Sequence, residues 1–159
     1  MFKVGDSVIY PQHGAAVIEG LQDREIGGET KEYFVLKLTY GDLTLMVPRD
    51  NCAEVGIREV CSSDDVEGVL EILRTGESST QGNWSRRFKG NIERLQSGDI
   101  FQVAEVVRDL TVRDRDKGLS AGEKRMLQRS RQILVSELVL ACNVGEDKAI
   151  KLVDEALEG

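Results

Sequence analysis

The sequence predicts an α+β protein, in which a small, bent antiparallel sheet is followed by an all-helical bundle. Two observations predict this. Over residues 1–60, apolar and polar side chains alternate in short runs cut by Gly and Pro, which is the pattern of strands. Over residues 64–157, apolar residues recur every three or four positions, which is the pattern of helices. The period changes near residues 55–65, so a β module is expected over 1–60 and a helical domain over 61–159. Each part is small for an independent fold, so the two are expected to pack together.

The strand signals come in order. "SVIYP" stops at Pro11, and "GAAVIEGLQDREI" begins at Gly14. Gly27-Gly28 in "REIGGETKE" suits the tight turn of a hairpin into "EYFVLKLTY". A second turn at Gly41-Asp42 leads into "LTLMVP", where Leu43, Leu45 and Val47 share one face and Thr44 and Met46 the other. Four or five strands in about 50 residues suggest a strongly bent sheet or open barrel. Such a sheet has edges, and an edge strand can recruit a partner.

The helix signals follow. "SDDVEGVLEILR" carries Asp64 and Asp65 where the first turn favours negative charge. "TGESSTQGN" reads as a loop. A helix over 84–96 puts Trp84, Phe88, Ile92 and Leu95 on one stripe, and "SGD" ends it. The next, over 99–116, turns Phe101, Val103, Val107 and Leu110 inward. Gly118 suits a helix stop, and Ser120 with Glu123 three residues on is a capping box. The helix it opens, over 121–142, is expected to bury Met126, Leu127, Ile133, Leu134 and Leu138. A last helix over 146–157 buries Ala149, Leu152, Val153 and Ala156.

Composition excludes several classes. No apolar run approaches the roughly 20 residues of a bilayer span. "MFKVGDSVIYPQHG" lacks the zones of a signal peptide, so a cytoplasmic protein without a membrane partner is expected. Cys52, Cys61 and Cys142 are too few and too scattered for a disulfide framework or a zinc site. His13 is the sole histidine and sits in a turn-like "PQHG". There is no phosphate-binding glycine loop, since "GEKR" lacks the preceding glycine spacing. The carboxylates follow helix starts and exposed faces. No catalytic residue, metal ligand or cofactor site is expected, and the chain does not read as an enzyme.

Net charge is −7, yet it is unevenly spread. Residues 1–75 carry 7 Lys+Arg against 14 Asp+Glu, and residues 132–159 carry 2 against 6. Between these acidic flanks, residues 84–131 carry 12 against 7, a local +5. A basic face of this kind is a footprint for phosphate contact. At its start stands "NWSRRFK", with the only tryptophan of the chain.

Trp84 has two readings here. It extends an apolar stripe, which argues for a core anchor. It also opens its helix after a Gly/Ser/Thr-rich loop, so the indole can project past the bundle between Arg86, Arg87 and Lys89. An apolar wedge among phosphate-binding side chains is how minor-groove proteins unstack a base step, and a helix N-terminus favours anions. Arg108, Arg113, Arg115 and Lys117 alternate with Asp109, Asp114 and Asp116, which reads as a salt-bridged, solvated face. Lys124, Arg125, Arg129 and Arg131 are less diluted by acids, and solubility and phosphate binding stand level for each of them.

The opening "KVGDSVIYPQHGAAVIEG" resembles the start of the CarD family of bacterial transcription regulators, a module shared with transcription-repair coupling factors. "NWSRRFKGNIERLQSGD", "VAEVVRDL" and "GLSAGEKRML" resemble the helical domain of actinobacterial CarD proteins. The likeness covers nearly the whole chain in the same order. It implies that the N-terminal module is Tudor-like and docks on the RNA polymerase β subunit. It implies that the helical domain lies on promoter DNA at the upstream edge of the bubble and stabilises the open complex without base-specific recognition, the chain acting as a monomer.

By matching position, the resemblance makes Trp84 the wedge and Arg86, Arg87, Lys89 and Lys124 backbone contacts. It makes Arg24 a polymerase contact. Where close relatives place a second polymerase-contacting arginine this chain has Met46, so that contact is less polar here. The other reading, from a different class, is a protein-only adaptor. In it the β module holds polymerase, the basic face holds a second protein, and Trp84 is structural.

Overall fold

A computed structural model describes residues 2–40, 42–75 and 82–158. Four strands come first: β1 Ser7–Tyr10, β2 Gly14–Ile26, β3 Glu29–Leu38 and β4 Thr44–Pro48. They form one antiparallel sheet in the order β1-β2-β3-β4. A 3-10 turn at Arg49–Asn51 follows, then α1 Cys52–Val55, α2 Ser63–Arg74, α3 Trp84–Gln96, α4 Ile100–Asp116, α5 Ala121–Cys142 and α6 Glu146–Glu158. The chain is α+β, sheet first and helices after. The 3-10 turn and α1 depart from an all-strand reading of the first 60 residues. They follow Pro48, which lacks the N–H that would continue the ladder.

The sheet bends for a local reason. Ile18 pairs with Leu36 but Gly20 pairs with Val35, so Glu19 is an extra residue in β2. A bulge of this type kinks its strand and increases the twist. The bend closes Val8, Ile18, Phe34, Leu36 and Val47 into one apolar cluster. Beyond the bulge, β2 and β3 continue as a two-stranded ribbon to the turn at Gly27-Gly28, where φ is +61° and +83°. β1 reaches only as far as Val17, so the outer half of β2 has an open edge. Gly41, part of the second expected turn, lies outside the described residues, as do residues 76–81 of the "TGESSTQGN" loop.

The helices form a second cluster. Val69 and Leu73 of α2, Val107 and Leu110 of α4, Leu134 and Leu138 of α5 and Val153 of α6 are all buried in it. Phe101 packs across Gly68 of α2 so closely that a Cβ there would lie 2.9 Å from the ring. The capping box at Ser120 and Glu123 is present as expected, and a second one joins Ser62 and Asp65 at the start of α2. Among the described residues no helix is long and apolar enough to cross a membrane.

The two parts pack together along α5. Ala15 donates its N–H to Ser136 Oγ at 3.0 Å, and Arg58 forms a two-point ion pair with Glu137. Arg129 donates to the Gln12 carbonyl at 3.1 Å and lies 2.9 Å from His13 Nδ1. Tyr40 donates its hydroxyl to Glu146 at 3.1 Å. In the expected "PQHG" turn it is Gln12, at φ +71°, and Gly14, at φ +83°, that take positive φ, and not His13.

The expectation of solvated charges is overturned at several positions, among them Glu137, which is 2% exposed inside α5. Arg108 and Asp109 do not lie on a solvated face: they are 8% and 3% exposed. Arg94 and Arg108 both reach Asp109, at 2.8 and 3.1 Å. Their positions fall between Val107 and Leu110, on the part of α4 turned into the bundle. Arg113 faces the buried Glu123 at 3.8 Å. Charges at these positions are tolerated inside because each carboxylate has guanidinium partners.

Candidate functional site

Asn83 caps α3 by accepting the Arg86 N–H at 2.9 Å, which fixes where the helix begins. Trp84 is therefore its first residue. The stripe it opens is graded: Trp84 is 44% exposed, Phe88 and Ile92 are half-buried, and Leu95 is buried. The indole stacks on the Phe88 ring, with centroids 4.8 Å apart and planes 17° apart. Its Nε1–H donates to Ser120 Oγ at 3.1 Å. Trp84 is thus tied down along one side and open along the other. The N-terminal ends of α3 and α5 meet at this bond, and both ends carry partial positive charge.

The basic residues divide into groups. Arg86 and Lys89 are exposed near the start of α3, about 160° and 140° around the helix from Trp84 at 100° per residue. Arg87 is half-buried, donates to the Gly82 carbonyl at 2.8 Å, and lines a cleft of about 180 Å³ with Arg113 and Glu123. It faces α4 and α5 rather than standing with Arg86 and Lys89. Lys124 is also set apart. Gly122 of α5 faces Phe88 and Trp84: a Cβ there would lie 3.5 Å from the Phe88 ring and 4.0 Å from the indole. Lys124 lies about 160° around the helix from Gly122, at 100° per residue. There it rims a different cavity of about 490 Å³, with Tyr40, Leu127, Arg131 and Ile150.

Arg125, exposed and only about 60° from Gly122 by the same count, is the α5 cation on the Trp84 flank. Its three-residue spacing from Gly122 is the signal that marks it. Arg129 and Arg131 are engaged elsewhere, Arg129 with the β module and Arg131 with Asp154 at 2.6 Å. By helical position the cations nearest the indole are therefore Arg125 on α5 and Arg87 on its own helix, about 60° away and turned to the Gly82 carbonyl, while Arg86, Lys89 and Lys124 stand on other faces.

The β module presents a second candidate surface. Side chains directly opposite across antiparallel strands share a face. Phe34, Leu36 and Val47 define the buried face, so Val35 and Met46, which pair with each other, point the other way. Val35 also pairs with Gly20, and Arg24 lies an even number of residues beyond Gly20, opposite Lys31. Arg24 and Met46 thus share the outer face, with Tyr33 and Gln22 between them. Arg24 is fully on the ribbon with the open edge, and Met46 is half-buried on β4.

Thiol chemistry is disfavoured. Burial, then the charge and hydrogen bond of Glu137, push the Cys61 thiol up to about 12. Burial also raises the Cys52 and Cys142 thiols. Few thiolates exist at neutral pH under those conditions. Among the described residues no three His, Cys, Asp or Glu side chains are grouped to hold a metal ion.

Comparison with known proteins covers both parts. Residues 2–61 match the family described as CarD-like/TRCF RID domain, and residues 68–154 match the family described as CarD, C-terminal domain. A relative in Bacillus subtilis (strain 168), named "Putative transcription factor YdeB", is 35% identical over 151 residues, which are 95% of this chain and 98% of the relative.

Proposed function

The chain belongs to the CarD family of transcription proteins, whose N-terminal module is of the RNA polymerase-interacting kind, and from that premise we propose that it is a polymerase-bound regulator that stabilises the promoter open complex. The β module, residues 1–60, docks on the polymerase β subunit through the outer face that carries Arg24 and Met46. The helical part, residues 61–159, lies on promoter DNA at the upstream edge of the bubble. Trp84 enters the minor groove there. Arg86, Arg87, Lys89 and Lys124 hold backbone phosphates. The chain acts as a monomer in the cytoplasm.

The observation that carries this reading is Trp84 itself. A residue placed on an apolar stripe is nonetheless half-exposed at a helix start, where the N-terminal ends of α3 and α5 meet, and two exposed cations follow it within five residues. Phosphate contacts and an apolar wedge carry little sequence information, so the effect should extend across promoters.

The protein-only adaptor has one observation in its favour. The Phe88 stack and the Ser120 hydrogen bond give Trp84 structural partners. The lifetime of the open complex, measured with cognate polymerase and either wild-type protein or Trp84→Ala, separates the two. A lifetime extended by wild type and not by the folded variant supports the wedge. Equal lifetimes with both proteins support the adaptor.

A further inference from the structure

Ser120 stands at an unusual junction. A serine hydroxyl has one hydrogen to donate and two lone pairs to accept with. Here all three are used. The hydroxyl accepts the Glu123 N–H at 3.2 Å, donates to Glu123 Oε1 at 3.1 Å, and accepts the Trp84 Nε1–H at 3.1 Å. The first two bonds are the capping box of α5. The third serves a residue 36 positions away, on another helix.

The indole is fixed by this bond together with two contacts. One ring face lies on Phe88. The edge that carries Nε1 and Cζ2 faces α5, with Cζ2 4.0 Å from where a Cβ on Gly122 would be. With these contacts made, Trp84 still keeps 44% of its surface exposed. Ser120 is anchored in turn, because Glu123 is 2% exposed and faces Arg113 across 3.8 Å. The plane of the indole is therefore set by a chain of contacts that runs into the buried charges of the bundle.

We infer that Ser120 is the positioning residue of Trp84: it holds the indole plane in its projecting pose and takes up the ring's only hydrogen-bonding atom, so that Trp84 meets its partner as an apolar plate. Deepening the reading above, on which it rests, this gives a physical reason for the absence of base readout. Minor-groove edges offer acceptors at adenine N3 and thymine O2, and the one donor of the indole is already turned inward. A ring held in place before binding also loses less freedom on binding than one that must be ordered.

Trp84 is the only tryptophan, so the fluorescence of the whole protein reports on this side chain alone. The test compares Ser120→Gly and Ser120→Thr with wild type. Glycine keeps most of the N-cap preference while removing the hydroxyl, and threonine keeps both. For Ser120→Gly the emission should shift to longer wavelength and acrylamide quenching should rise, with the far-UV circular dichroism and melting curve nearly unchanged. Ser120→Thr should match wild type in all of these. In the promoter assay, Ser120→Gly should shorten open-complex lifetime toward that of Trp84→Ala, and Ser120→Thr should not.

Unchanged fluorescence in a folded Ser120→Gly protein overturns the positioning role. Altered fluorescence with a wild-type lifetime, while Trp84→Ala shortens it, overturns the link between pose and function. If Trp84→Ala leaves the lifetime unaltered, the DNA reading fails, and a fluorescence change in Ser120→Gly still establishes the positioning role.

Discussion

Arg58 and Glu137 lie 79 positions apart, yet both terminal nitrogens of the guanidinium meet the two carboxylate oxygens at 2.7 Å. Glu137 also accepts the Cys61 N–H at 2.8 Å, and its side chain is 2% exposed. Arg58 in turn extends the sheet, exchanging both backbone hydrogen bonds with Ile9 of β1. One ion pair therefore joins the edge of the sheet to the middle of α5. Arg58→Ala leaves a buried carboxylate without its charge partner and should cost about 3 kcal/mol, the lower end for breaking such a pair because Arg58 is partly exposed. Urea denaturation of the two single variants and the double variant checks this. A coupling energy near zero would show that the pair does not join the parts.

Gly14 is the second joint. It has φ +83°, and a Cβ there would lie 2.6 Å from Ser136 Oγ and 3.2 Å from the Ile133 Cα. Gly14→Ala adds strain in the left-handed region and pushes α5 away from the sheet. The expected loss is about 1–3 kcal/mol, read as a lower melting temperature. Gly20→Ala, with open space around it, is the control and should change stability by well under 1 kcal/mol.

His13 makes the junction sensitive to acid. Burial, then the charge of Arg129, lowers its pKa below 6.5. The unfolded chain therefore binds a proton before the native state does, and stability rises with pH in that window. The contribution is present above pH 6.5 and is lost as pH falls from there through the native pKa. His13→Gln should flatten this part of the stability–pH curve. An unchanged slope would show that His13 is not the titrating group.

Arg24 and Met46 test the β surface. Arg24 is exposed, so Arg24→Glu should leave the melting curve within about 0.5 kcal/mol of wild type while pull-down of the polymerase β lobe is lost. Met46→Arg should fold, because Met46 points away from the apolar cluster of the sheet, and should change polymerase affinity. A large drop in melting temperature for Met46→Arg would place the side chain in a packed environment.

Trp84→Ala removes a half-exposed ring, one aromatic stack and one hydrogen bond. The expected loss is about 1–2 kcal/mol, below the about 3–5 kcal/mol of a buried anchor. Arg86→Ala and Lys89→Ala should leave stability unchanged, and each should make DNA association less dependent on salt. A loss for Trp84→Ala as large as that for Leu134→Ala would show that the indole belongs to the core.

The readable features share one property, short range. The capping box at Ser120 and Glu123, the glycine turn at residues 27 and 28, the stripe from Trp84 to Leu95 and the span of α5 all depend on residues within a turn or a strand. The buried charges were less legible. Asp109 resembled the solvated Asp114 and Asp116 because, like them, it directly follows an arginine. Glu137 did leave a trace, as the single acid in the apolar run "ILVSELVL". Its partner, however, lies in another part of the chain.

By itself the sequence determined the sheet-then-helix order, the helix starts and the presence of a basic block around one tryptophan, because backbone propensity, side-chain period and capping act between near neighbours. Only the tertiary structure decided which of those charges are inside, that Arg24 and Met46 share a face, that Lys124 stands away from Trp84, and that the indole N–H is taken by Ser120. These depend on how separate elements meet. A side chain's solvation and hydrogen bonding are set by whatever element packs against it, and no local pattern records that partner.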